Sequence, residues 1–115
     1  MPSLVNESQN QIIFSNLIVA ESFWDRSKGL LGRDSLDQKS AMWILRCNWI
    51  HTFFMQFPID VIYVNRQLVV QKIKKYVRPG RLTLPVWQAH SVFEIAAGQA
   101  EKANIKVGDQ LYVGN

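Results

Sequence analysis

Apolar residues along this chain recur in short blocks, mostly at a period of two, separated by polar turns. Leu17 to Ala20, Ala41 to Leu45, Ile59 to Val64, Leu68 to Val77, Ser91 to Ala96 and Leu111 to Val113 each read as a strand. Ile12-Ile13-Phe14 and Leu17-Ile18-Val19 flank Ser15-Asn16, which fits two short strands around a turn or one irregular strand. Residues 1 to 10 are polar and are expected to be loosely held. The most apolar stretch runs from Asn48 to Asn65, where Phe53, Met55 and Phe57 alternate with Phe54 and Gln56. Pro58 has no N–H for a ladder, so it belongs at a strand start, an edge or a bulge. His51 to Val64 therefore reads as a central strand, turn and strand. Asn65-Arg66-Gln67 fits a hairpin loop and Arg78-Pro79-Gly80-Arg81 a turn. Leu82 to Gln88 contains Pro85 and does not suit a central strand.

Only two segments carry a helical pattern. Over Ser22 to Gly32, Ser22 can cap the first turn, Phe23, Ser27, Leu30 and Leu31 share one face, and Gly32 supplies a left-handed terminus. Gly98 to Ala103 reads as a second, shorter helix. Many short strands with one or two short helices predict a mainly β fold, a compact sandwich or jelly-roll-like sheet pair or a barrel-like sheet. A length of 115 residues suits one domain, spanning residues 1–115, with a core that needs no metal or disulfide.

Composition narrows the class. At 48% hydrophobic and 19% charged the chain is an ordinary globular protein rather than a disordered one. A single cysteine, Cys47, excludes an internal disulfide and fits a reducing compartment. The N-terminus lacks a basic, apolar secretory pattern, and no window approaches the roughly 18 apolar residues of a membrane helix. Cytoplasmic location without membrane insertion is the expectation. The net charge of +4 is modest but uneven. No acidic residue lies between Asp60 and Glu94, whereas Arg66, Lys72, Lys74, Lys75, Arg78 and Arg81 all do. A solvated face or a lysine-guarded strand edge explains such a run; a nucleic-acid or acidic-partner footprint is the functional alternative, with Tyr76 or Trp87 for stacking.

Candidate chemistry is sparse. One cysteine and two histidines cannot assemble the usual zinc ligands, so neither a metal nor a cofactor is expected. Cys47 reads as an inert thiol. Asp60, set among apolar residues, fits a cap for backbone N–H groups in the turn made by Pro58, or a charge at a pocket rim. Glu94 alternates with Val92 and Ala96; if that face is core, its carboxyl needs a cation or donors, with Arg33, Arg26 or His51 available. No nucleophile elbow, phosphate loop or nucleotide fingerprint is present.

Four separated motifs carry a family resemblance: Gly-Leu-Leu-Gly-Arg (Gly29 to Arg33), His-Thr-Phe-Phe-Met-Gln-Phe-Pro-Ile-Asp-Val-Ile-Tyr-Val (His51 to Val64), Phe-Glu-Ile-Ala-Ala-Gly (Phe93 to Gly98) and Ile-Lys-Val-Gly-Asp (Ile105 to Asp109). In order and spacing the chain from Leu17 onward resembles the DUF192 family. The resemblance implies a small, mainly β domain with no established activity. It also implies polar motif positions at Arg33, His51, Asp60, Glu94 and Asp109, with Met55 and Pro58 between them. Phe54 and Gln56 depart from the tryptophan and asparagine of many relatives.

Together these features lead to the expectation of a small non-enzymatic binding or accessory domain. Its pocket would be lined by Arg33, His51, Met55, Asp60 and Glu94 and would take a small-molecule or protein ligand. The alternatives are binding of nucleic acid or an acidic partner through Arg66 to Arg81, and a hydrolase using Asp60 and Glu94 across one cleft.

Overall fold

The computed structural model describes residues 2–20 and 35–114. In them the short apolar blocks become strands β1 (Ser3–Asn6), β2 (Gln11–Phe14), β3 (Asn16–Ala20), β4 (Ser40–Ile44), β5 (Ile59–Val64), β6 (Val70–Val77), β7 (Ser91–Ala96) and β8 (Leu111–Gly114), with one short helix, α1 (Gln99–Lys102). A five-stranded sheet has the order β3-β4-β7-β5-β6, and a three-stranded sheet the order β2-β1-β8. The expectation of a mainly β fold with two packed sheets holds, and neither sheet closes into a barrel. The helix expected over Ser22 to Gly32 lies outside the described residues. None of the described helices is long and apolar enough to cross a membrane.

Every residue of β5 is buried, Asp60 included, as befits a strand covered on both faces. Its register with β7 sorts the side chains: Val61 lies opposite Glu94 and Tyr63 opposite Val92, while Asp60 lies opposite Ile95 and Ile62 opposite Phe93. Cross-strand partners share a face. Ile62, Val64, Phe93 and Ile95 therefore pack toward the small sheet, against Leu4, Phe14 and Leu111. Val61, Tyr63 and Val92 form a second core with Met42, Ile50 and Met55, closed by the long connections before β5 and after β6. Fully burying each such aliphatic or aromatic side chain stabilises the fold by about 1.5–3 kcal/mol.

Three local expectations change. Residues 1–10 contain β1, the middle strand of the small sheet, with Leu4 and Asn6 fully buried. Of the two readings around Ser15-Asn16, two strands form, and they enter different sheets. The stretch from His51 to Phe57 alternates like a strand but makes only one bridge, His51 with Leu82. Its neighbours explain why. The chain turns directly after the bridge, Met55 N donating to Thr52 O at 3.2 Å with Phe54 at φ 65°, and on the other side Pro79 has no N–H to carry the pairing past Gly80.

Candidate functional site

Asp60 points to the small-sheet side and is fully buried. Its Oδ1 accepts from Tyr76 N at 2.8 Å, and Oδ2 accepts from Gly98 N and Ala100 N, both at 3.0 Å. Tyr76 lies where the β5–β6 register shifts, with φ 54°, so its N–H is turned out of the ladder. Gly98, at φ 90°, precedes α1 without a side-chain cap of its own. Asp60 thus caps a bulge and a helix from the strand between them. The N–H groups it caps lie in β6 and at the start of α1 rather than in the Pro58 turn that local sequence suggests. Asp109 is similarly engaged, accepting from Asn6 Nδ2 and Lys106 N, both at 2.9 Å.

Glu94 faces the other way, between Met42 and Val61. It is buried, Oε1 has no hydrogen-bond partner, and burial pushes its pKa up to about 8, so the carboxyl is mostly protonated at neutral pH. One row along the same face, the fully buried Tyr63 hydroxyl makes no hydrogen bond of full geometry among the described residues, although the Thr83 side chain interacts with it. Burial raises its pKa, Thr83 partly offsets the rise, and Cys47 and Glu94 add to it. Thr83 is already committed, accepting from Ile50 N at 2.9 Å and donating to Ile50 O at 3.2 Å. Met55 is buried in this same core. Asp60 and Glu94 therefore do not face one cleft, which leaves the paired-carboxylate reading without its geometry.

His51 belongs to the covering segment. Thr52 next to it is fully buried and holds the following turn: its N–H donates to Arg81 O at 2.8 Å, and its hydroxyl accepts from Arg81 N at 2.9 Å and donates to Arg78 O at 2.6 Å. The His51 ring stacks on Phe53 at 5.3 Å and lies 6.5 Å from Trp49. Its Nδ1 is buried without a partner. Trp49 and Phe53 are 45% and 43% exposed, and Phe54 is 88% exposed at φ 65°. A bulky residue in the left-handed region with nothing covering it is costly, and such costs concentrate at functional positions.

The basic residues gather along and just beyond β6, the outermost described strand of the large sheet, whose edge is paired at Val70 with Gly108 and Asp109 and open after it. A groove of about 520 Å³ is lined by Lys74, Lys75, Tyr76, Val77, Arg78, Arg81, Leu82 and Thr83. Among the described residues four cations line it and no carboxylate does. Tyr76 is 58% exposed, with the Arg78 guanidinium 5.9 Å from its ring centre, within cation–π range. Near the β5–β6 turn a smaller groove of about 380 Å³ includes Arg66, His90 and the exposed Trp87. Lys72, opposite Tyr63, lies on the strand between the two.

Of the sequence-derived pocket residues, Met55 and Glu94 lie on the covered face, His51 in the covering segment and Asp60 on the opposite face; Arg33 lies outside the described residues. Among the described residues no three His, Cys, Asp or Glu side chains group as metal ligands. Sequence reasoning missed Thr52, Tyr63 and Leu82. Their importance rests on pairing across about 20 to 30 residues, which local periodicity does not encode.

A family model for DUF192, described as uncharacterized ACR, matches residues 4–113. A UPF0127 protein of Thermococcus sibiricus is 28% identical over 113 residues, covering 94% of this chain and 72% of the relative. Another, from Pyrococcus horikoshii, is 30% identical over 113 residues, covering 94% and 96%. A crystal structure of a protein of unknown function from Novosphingobium aromaticivorans superposes with a TM-score of 0.82 at 26% identity, covering 96% of this chain and 82% of that one.

Proposed function

The chain belongs to the DUF192 family, and from that footing we propose that it is a non-enzymatic binding domain that takes an anionic ligand along the open part of the β6 edge. One observation carries the reading: a groove lined by Lys74, Lys75, Arg78 and Arg81, with no carboxylate among its described residues, beside an exposed tyrosine. Lysines on a free edge also discourage strand addition. That role needs neither Arg78 nor Arg81, which lie beyond the end of the strand. If four phosphates are neutralised, the slope of log affinity against log salt for a single-stranded polyanion is about −3. Binding of polyphosphate and labelled oligonucleotides at low salt, followed by titration with NaCl, measures this. Arg78→Ala with Arg81→Ala should roughly halve the slope. No binding of either polyanion at low salt would sink the reading.

A second reading keeps the covered face as a small-molecule site around Glu94, Tyr63, Met55 and His51. It is favoured by buried polar atoms left without partners on His51, Tyr63 and Glu94, which a ligand could satisfy. A ligand carrying an amine would suit the Glu94 carboxyl best. A thermal-shift screen of small amines on the wild type and on Glu94→Leu tests it: stabilisation confined to the wild type supports the site, and equal or absent shifts exclude it.

A further inference from the structure

We infer that the anionic ligand is a single-stranded nucleic acid whose phosphates lie in the β6 groove and whose bases stack on the aromatic platform formed by Trp49, His51 and Phe53 and on the exposed ring of Phe54 in the same segment. The inference rests on the groove reading above and adds a second surface to it.

The two surfaces are joined through Leu82. This residue lines the basic groove and is also the bridge partner of His51. The pairing is fixed on both sides, by Thr52 N donating to Arg81 O at 2.8 Å and Thr83 N donating to Ile50 O at 2.9 Å. Bridge partners present their side chains to the same side. Leu82, itself 60% exposed, therefore passes directly from the cationic groove to the His51 ring, and from there to Phe53 and Trp49.

Ring geometry suits bases. His51 and Phe53 are stacked with 25° between their planes, and Phe53 and Trp49 each keep nearly half their surface in water. Phe54 is almost wholly exposed in a conformation that glycine or asparagine would adopt at less cost. A buried core would gain nothing from that ring; a stacking partner would. Cations that follow a backbone and aromatic rings that accept any base are the two components of sequence-tolerant single-strand binding. An acidic peptide would use the cations but carries no aromatic base on every unit to stack on the platform.

Three probes of matched length separate the claims by fluorescence anisotropy: oligothymidylate, the same sugar-phosphate backbone without bases, and oligoglutamate. Oligothymidylate should bind at least tenfold more tightly than the abasic strand. Trp49→Ala with Phe54→Ala should remove most of that difference and leave the abasic strand's affinity unchanged, whereas Arg78→Ala with Arg81→Ala should weaken both. Both pairs are surface side chains, and circular dichroism melts check that the variants fold. Equal affinity for the base-bearing and abasic strands overturns the platform while leaving the groove reading intact. Tighter binding of oligoglutamate than of oligothymidylate overturns the inference in favour of an acidic protein partner. If neither nucleic-acid strand nor polyphosphate binds at low salt, both readings fall.

Discussion

Glu94 is a carboxyl enclosed by the side chains of a sheet face, and its oxygen Oε1 has no donor to accept from. An ion in that position would cost several kcal/mol, so the group holds its proton instead, and its pKa rises from 4.5 to about 8. The sign of the linkage follows. Below about pH 4.5 the acid is neutral in both folded and unfolded chains. Between 4.5 and 8 the unfolded chain releases the proton while the folded one keeps it, so stability declines with rising pH until the folded pKa is passed. The full swing is on the order of 5 kcal/mol. Glu94→Gln keeps the shape and cannot ionise. Urea denaturation at intervals from pH 4.5 to 8.5 should show the Glu94 contribution in the wild type and its loss in the variant; parallel curves would mean that Glu94 is charged in the folded protein.

Between elements, Asp60 does what no single strand or helix does alone. α1 is four residues long and starts without a side-chain cap, and the β6 bulge leaves Tyr76 N outside the ladder. One carboxylate on the strand between them satisfies three N–H groups. Asp60→Asn preserves volume but turns an amide N–H₂ toward one of these donors, and the loss of a charge-assisted acceptor should cost about 3 kcal/mol. Hydrogen exchange should accelerate most at Tyr76, Gly98 and Ala100, ahead of the interior of β5. A uniform acceleration across all strands would show that the contact is not local. The sequence made this group visible as a lone acid among Ile59 and Val61, but the donors it serves lie 16 to 40 residues away. The same distinction separates β5 from the segment before it. Both alternate or run apolar, yet β5 found two neighbouring strands, while His51 to Phe57 turned after a single bridge and became a cover for the second core.

At the scale of the molecule, strand identity was legible because most blocks are short and apolar or alternate at a period of two between polar turns, but sheet order was not, because it depends on which blocks pair. β1 shows the difference. Its four residues sit in a largely polar N-terminal stretch that local pattern marks as loosely held. In the fold Leu4 pairs with Phe14 on one side and Val113 on the other, and Pro2 O accepts from Leu17 N at 3.0 Å. Asn6 is buried with both ends of its amide satisfied, its Nδ2 donating to Asp109, far away in sequence, and its Oδ1 accepting from Ser8 N. The small sheet is thus completed by the start of the chain and covers the core beneath Ile62 and Phe93. Leu4→Ala should therefore destabilise the whole protein by about 2–5 kcal/mol, as a cavity in a fully packed interior does. The measurement is the urea midpoint of a single cooperative transition. A loosely held N-terminus would leave that midpoint where it was, whereas a central strand moves it and carries every probe of unfolding with it.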